Sequence, residues 1–557
     1  MKYINILLIS ALTVITFSCK EEAPKQETAE KVEVKQWQPE DTRSLTAAAS
    51  KRGLLKKSED ATEGYVLFSP SVGVKTYIMN MEGNIVHQWD GEINTMHSYL
   101  QENGNLFRLE RDIDFPTFAA GGQAGIIREY DWEGNKLWEF ELADDDELLH
   151  HDFEVMPNGN ILAISYHAKT PEQAIAAGRK PESLGKAGIW PDKIIEIKPN
   201  RPNGGEIVWE WHMWDHLVQD VDSTKANYGV IADNPRKIDI NVHTEELRVM
   251  PKEQIEQMKQ MGGATSNATF DNQNSDITHT NAIAYNETLD QIVISVPHYN
   301  EIFVIDHSTT TEEAKGSTGG KWGHGGDLLY RWGNPHNYGR GTKDDQMLFG
   351  QHDVKWIPEG YPGEGNIMVF NNDILHPGNK APSVFAAVMA AQSPDPQIAI
   401  GDFGNYSAVY ELSPPEDSDG SYALPENGVF GPEKPTWEYM APDKYSFYSA
   451  FVSGAHRMKN GNTFITSGAK GRFFMVNPEN EIVWDYLQPY YDQYALPDGS
   501  PPQPVGPFIF GQFRATHFDA DFTAFDGKAL EPISPQPEPF IFKMPPPPPT
   551  VEKDSMQ

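Results

Sequence analysis

Short apolar runs, each bounded by turn residues, recur along the chain in two interleaved forms. In the first form a polar, histidine-bearing start leads through a turn into an apolar strand. Phe349-Gly350-Gln351-His352-Asp353-Val354-Lys355-Trp356 runs on to Asn366-Ile367-Met368-Val369-Phe370-Asn371-Asn372, and His151-Asp152-Phe153 runs on to Asn158-Gly159-Asn160-Ile161-Leu162-Ala163-Ile164. A variant, His279-Thr280-Asn281, leads into Gln291-Ile292-Val293-Ile294-Ser295. Asn-Gly turns between apolar runs, repeated at Asn103-Gly104-Asn105 and Asn460-Gly461-Asn462, are the strongest short hairpin signal. In the second form a turn precedes an apolar strand carrying tryptophan: Ile85 to Trp89, Leu137-Trp138, Ile207 to Trp211, Leu328 to Trp332 and Ile482 to Trp484. Pro435-Thr436-Trp437-Glu438-Tyr439 reads as a degenerate copy. Self-similar strand–turn–strand units interleaved in this way predict a propeller. Roughly six of them fall across 64–490, so the expected fold is all-β, a six-bladed β-propeller with loop insertions at 168–188, 212–270 and 373–405. Met250 to Met261 predicts a short helix inside the second insertion.

The ends of the chain follow another pattern. Met1-Lys2 precedes an apolar stretch from Ile4 to Phe17 and then Ser18-Cys19-Lys20-Glu21-Glu22. A charged start, an apolar segment too short to span a bilayer and a small residue before cysteine predict a signal peptide over 1–18. Its Cys19 is similar to the lipidated cysteine of bacterial lipoproteins, which implies export and attachment to the outer membrane at its periplasmic face or at the cell surface. Residues 19–62, rich in Glu, Lys, Gln and Ala, predict a flexible tether. The propeller is expected over 63–490. Residues 491–557 are expected to form a C-terminal strap and Pro-rich tail, with an unbroken run from Pro545 to Pro549.

Composition narrows the function classes. The 557-residue chain carries 45 basic and 80 acidic residues, a net charge of −35, which disfavours nucleic acid as a partner. The 13 Trp and 22 Tyr suit a strand-rich repeat protein, and the 46 Gly and 42 Pro suit many turns. Cys19 is the one cysteine, so the mature domain has no disulfide.

Of the 17 histidines, His151, His279 and His352 stand out. Each precedes a strand-like run, each has a hydrogen-bonding neighbour (Asp152, Asn281, or Gln351 and Asp353), and the three come from different units. That is how a propeller assembles a site on its axis. Three convergent imidazoles suit a metal or a nucleophile with acid–base partners around a tetrahedral anion. The repeat context does not favour a metal and no carboxylate-rich calcium loop stands out, so the chemistry favours a nucleophile, with neither metal nor cofactor expected. His456, at the start of another hairpin, is either a further channel histidine or a surface residue.

Asp276-Ile277-Thr278-His279-Thr280-Asn281, Gly350-Gln351-His352-Asp353 with Phe370-Asn371-Asn372, and His151-Asp152 with Asn158-Gly159-Asn160 together resemble the bacterial arylsulfotransferases. The resemblance runs over about 64–490. It implies an exported six-bladed propeller that moves a sulfuryl group from phenolic sulfates to phenols through a sulfated histidine, without a nucleotide sulfate donor. On that resemblance His352 is the sulfated residue, His279 and His151 assist, and Asn281, His298, Asn371 and Asn372 bind substrate. The implied partners are small phenolic sulfates and phenols, with the membrane contacted through the lipid anchor alone. One position departs from the family pattern. An arginine is expected in a Ser-Ser-Arg stretch, and this chain reads Ser295-Val296-Pro297-His298. His298 or an arginine from elsewhere (Arg331, Arg340 or Arg472) would have to supply that charge. Two alternatives stay open on the residues: a divergent, non-catalytic surface-binding propeller, and a metal-dependent hydrolase or lyase built on the histidines.

Overall fold

The computed structural model describes residues 52–540 except 72, 112–116, 243, 245–248, 261–264, 266, 374–405, 418, 427, 443–446 and 492–509. Six antiparallel sheets arranged as blades form a β-propeller. Blades two to six follow chain order. Their innermost strands are Thr95–Leu100, Glu147–Val155, Ala282–Asn286, His352–Trp356 and Gly454–Arg457. The expected signal peptide over 1–18, Cys19, nearly all of the 373–405 insertion and the run Pro545–Pro549 lie outside the described residues.

Two segments move the boundaries expected from sequence. Blade one takes Gly64–Pro70, Lys75–Asn80 and Ile85–Asp90 from the start of the body, but its innermost strand is Gln512–Asp519, paired with Gly64–Pro70. The region expected to be a strap therefore closes the ring. At the other end Gly53–Lys57, expected within the tether, adds a fifth strand to blade six against Ile482–Leu487. The predicted helix is present as Lys252–Gln260. The 168–188 insertion carries a second, Pro171–Ala176, started by a Thr170 capping box.

The tryptophan half of the repeat joins successive blades. The indole N–H of Trp89 donates to Asp131 O at 2.9 Å, Trp138 to Gly204 O at 2.8 Å and Trp211 to Gly326 O at 2.7 Å. Trp332 reaches Pro432 O at 2.7 Å and Trp484 reaches Met81 O at 3.0 Å. Five of the six blades thus fasten their outer strand to a turn of the next, while buried aliphatic and aromatic side chains fill the space between. In the degenerate copy the indole nitrogen of Trp437 is buried without such a partner. The Asn-Gly turns place Gly104, Gly159 and Gly461 at φ of 83°, 82° and 91°, values that favour glycine.

One contact between blades three and four titrates. His307 bonds Asp290 Oδ1 at 2.6 Å and Glu196 Oε2 at 3.2 Å. Burial alone would lower its pKa, but the two carboxylates outweigh burial and raise it from 6.5 to about 9. A raised folded-state value means stability that is fully present below the unfolded pKa and lost as pH rises through the folded one. Thermal melts between pH 6.5 and 9.5 should show a loss on the order of 1–3 kcal/mol that His307→Gln abolishes. Parallel pH profiles of the two proteins would refute the assignment.

Candidate active site

The innermost strands of blades three to five begin at one end of the central channel, and left-handed backbone at their entry aims the polar side chains. His151 and His279 both have φ of 57° and Asp353 has φ of 55°. Such residues are costly in L-chains and interrupt the ladder. The register of blade three shifts beside Ala163, and that of blade five shifts between His352 and Lys355.

His352 is 7% exposed. Its Nδ1 lies 2.7 Å from Asn372 Oδ1. The amide nitrogen of Asn372 donates to Ser449 O at 2.8 Å and Val452 O at 3.0 Å, which fixes its oxygen as the acceptor. His352 therefore carries its proton on Nδ1 and keeps the lone pair on Nε2, where it accepts from the Val452 N–H at 3.1 Å. Burial holds the pKa down to about 3, against the pull of Asn372, so the ring is neutral. Val452 and Ser453 have φ of 50° and 90°, a strained turn for a β-branched residue.

His151 and His279 meet edge to face, their ring centroids 4.4 Å apart. His151 Nδ1 lies 2.7 Å from His150 Nδ1, and His150 Nε2 lies 3.2 Å from Asp192 Oδ1. Burial and the neighbouring imidazoles, His279 first and His352 among them, keep His151 well below the usual range. His279 Nδ1 bonds Asp276 Oδ2. Burial would lower the His279 pKa, yet the Asp276 charge and hydrogen bond outweigh it and raise the value. His298, with 47% of its side chain exposed, stacks on His279 at 4.8 Å and 18°. A glycine pair closes over this group. Gly122, at φ 72°, touches the His151 ring so closely that a Cβ would overlap it, and a Cβ on Gly121 would stand 3.4 Å from His279.

The other residues expected at the site serve the framework. Asn281 is fully buried and donates to Gln351 O at 2.8 Å, fixing the peptide before His352. Asn371 accepts from the Phe349 N–H at 2.8 Å. Neighbouring strand residues point to opposite faces, so of the paired asparagines only Asn372 reaches His352. None of the three arginines considered from sequence reaches in. Arg331 pairs with Glu301, Arg340 bonds Ala232 O and Arg472 pairs with Asp485. The channel arginine is Arg514, from the closing strand. It bonds Asp152 Oδ2 at 2.7 Å, Asp353 Oδ1 at 2.9 Å and Asn281 O at 3.1 Å, and so binds blades three, four and five to blade one. His456 lies beyond this knot, in a cavity of about 460 Å³ at the opposite mouth that Tyr99, Lys355 and His517 also line.

The sequence model of arylsulfotransferase (ASST) matches residues 54–409, well over half of the chain. The chain belongs to the arylsulfotransferase family. That match of the arylsulfotransferase ends within blade five, so Val452 and Arg514 lie beyond it. No curated protein sequence matches the chain. Among solved structures, a protein of unknown function from Bacteroides caccae is similar over 82% of this chain and 99% of its own, at 10% identity and a TM-score of 0.37. A streptogramin B lyase is similar over 81% of this chain and 88% of its own, at 12% identity and a TM-score of 0.34. At that distance neither bears on the chemistry of the arylsulfotransferase site.

Proposed function

We propose that this arylsulfotransferase moves a sulfuryl group from phenolic sulfates to phenols through His352, with no nucleotide sulfate donor, as an exported protein anchored to the outer membrane by lipid on Cys19. The observation that carries the reading is the state of His352: buried, neutral, its Nδ1–H held by Asn372 and its lone pair on Nε2. In the first half-reaction Nε2 attacks sulfur, an N–S bond forms, and the S–O bond breaks with its electron pair leaving on the phenolate. In the second, the acceptor phenol oxygen attacks sulfur, the N–S pair returns to Nε2 and the phenol proton passes to solvent. A neutral imidazole suits both halves, because it is a nucleophile going in and a good leaving group coming out. His151 and His279 stand beside the group as it transfers, where His279 brings positive charge to the sulfuryl oxygens. Attack requires the Val452 N–H to leave Nε2. The strain stored at Val452 and Ser453, of order 1–3 kcal/mol for each such residue, favours a rearranged turn once substrate competes for that nitrogen.

The test is direct. After incubation with 4-nitrophenyl sulfate and no acceptor, digestion should yield the peptide containing His352 heavier by one sulfuryl group, and added phenol should discharge it. Turnover with no such adduct, or with the adduct on another residue, would overturn the reading. Pro297 at the position of the family arginine supports a second reading, a propeller that binds phenolic sulfates without turning them over. That reading predicts thermal stabilisation by 4-nitrophenyl sulfate with no release of nitrophenolate.

A further inference from the structure

We propose that Asp276, His279 and His298 hold a divalent transition-metal cation of the zinc class at the open end of the channel. One carboxylate oxygen and one nitrogen from each imidazole lie within 4.8 Å of one another. Ligand atoms bonded to zinc at about 2.0–2.1 Å stand farther apart than His279 Nδ1 and Asp276 Oδ2 do here, so small side-chain rotations would open that contact as the cation enters. The near-parallel stack of His279 on His298 brings two imidazoles to the same carboxylate. His298 is already set as a ligand is set. Its Nδ1–H donates to the Asp276 backbone oxygen at 3.0 Å, and its own backbone N–H donates to Thr278 O at 3.3 Å. That leaves Nε2 with the lone pair, as in metal sites where the other ring nitrogen is held by a carbonyl. At His279 the cation would replace the proton shared between Nδ1 and Asp276 Oδ2. Tyr166 OH, 3.2 Å from the same oxygen, steadies the carboxylate from behind.

An independent observation points to a missing partner. Asp276 Oδ1 is buried and takes no hydrogen bond, and His298 Nδ1 lies 3.9 Å from it, beyond hydrogen-bond reach. An ionised oxygen left so is costly, and a cation satisfies it. Two imidazoles with a single carboxylate select zinc, cobalt or nickel over magnesium or calcium. The half-exposed His298 edge leaves coordination positions for a substrate oxygen, the pattern of three protein ligands and an open site. His298 directly follows Pro297, so the cation would place positive charge where the chain lacks the family arginine. This role rests on the sulfuryl-transfer reading, whereas the binding itself does not.

Purified full-length protein, stripped with chelator, should bind one Zn²⁺ by calorimetry, and Co²⁺ should give visible absorption bands of four- or five-coordinate intensity. His298→Ala and Asp276→Asn should each weaken binding at least about tenfold and erase the cobalt bands. His456→Ala, at the opposite mouth, should do neither. Circular dichroism melts establish that each variant is folded. His298 is half-exposed, and its loss should leave the fold intact even if Asp276→Asn does not. Absence of stoichiometric binding in the wild type, or binding unchanged in His298→Ala, overturns the proposal. Either result leaves sulfation of His352 to be decided by mass analysis alone.

Discussion

Transfer from 4-nitrophenyl sulfate to a phenol is expected to fall by about a thousandfold or more in His352→Ala, the scale seen when a covalent nucleophile is removed. The loss should lie in kcat, since the ring makes and breaks the N–S bond and is not the main source of ground-state binding. His352→Gln is the sharper variant because it keeps a side chain of similar reach that can still accept from the Val452 N–H. If His352 only propped up the turn at Val452 and Ser453, glutamine would restore much of the activity. If Nε2 is the nucleophile, glutamine should be as inactive as alanine, with melting temperatures close to wild type in both. Comparable turnover in wild type and His352→Gln would end the sulfohistidine assignment. The pH profile adds a check. Burial keeps His352 neutral down to a pKa of about 3, so activity should not fall between pH 8 and 5 through protonation of the nucleophile, and an acid limb there must come from another group.

The blades were legible because they are local. An Asn-Gly turn between apolar runs and a tryptophan strand announce themselves within about twenty residues, and both marks recur where the structure places hairpins and blade-to-blade indole bonds. Even the copy read as degenerate, at Trp437, is the one whose indole finds no carbonyl. The closing strand was not legible for the opposite reason. Gln512–Asp519 pairs with Gly64–Pro70 across almost the whole chain, and it lies inside the region 491–557 expected to be a strap and tail. A count of strands would have found it, since the first unit supplies three where a blade needs four. Arg514 lies on that strand, whereas Arg331, Arg340 and Arg472 each bond a carboxylate or carbonyl of their own surroundings. At the site itself, the histidines were legible as strand starts. The division of labour between Asn371 and Asn372 was not, because it depends on strand alternation at a position where neither face announces itself. Asp276 was visible in its motif, but its role is set by the His279–His298 stack that only the fold creates.

Arg514→Met is expected to produce the largest loss of stability of any single substitution in the channel. The guanidinium is buried between Asp152 and Asp353. Burial would lower its pKa, but those carboxylates outweigh burial and keep it firmly protonated. Asp152 also accepts from the Tyr99 hydroxyl and the Ile283 N–H, and Asp353 accepts from the Ala455 N–H and pairs with Lys355. Methionine replaces the arginine's volume without its charge and leaves two buried carboxylates without the guanidinium between them. Removal of one partner from a buried ion pair costs about 3–5 kcal/mol, while removal of every partner in favour of neutral groups is often nearly neutral. The triple variant Arg514→Met, Asp152→Asn, Asp353→Asn should therefore recover much of the loss. That recovery separates uncompensated charge from lost packing, and it can be scored even if the single variant does not accumulate as folded protein. The same variants bear on the site. Arg514 also donates to Asn281 O, and Asn281 in turn holds the Gln351 carbonyl just before His352. The triple variant should accordingly fold yet transfer sulfuryl groups more slowly than wild type, because the hydrogen bond from blade one to the strand that aims His352 is gone. A single variant as stable as wild type, or a triple variant no better than the single, would show that the channel is held by its apolar packing and not by this charge knot.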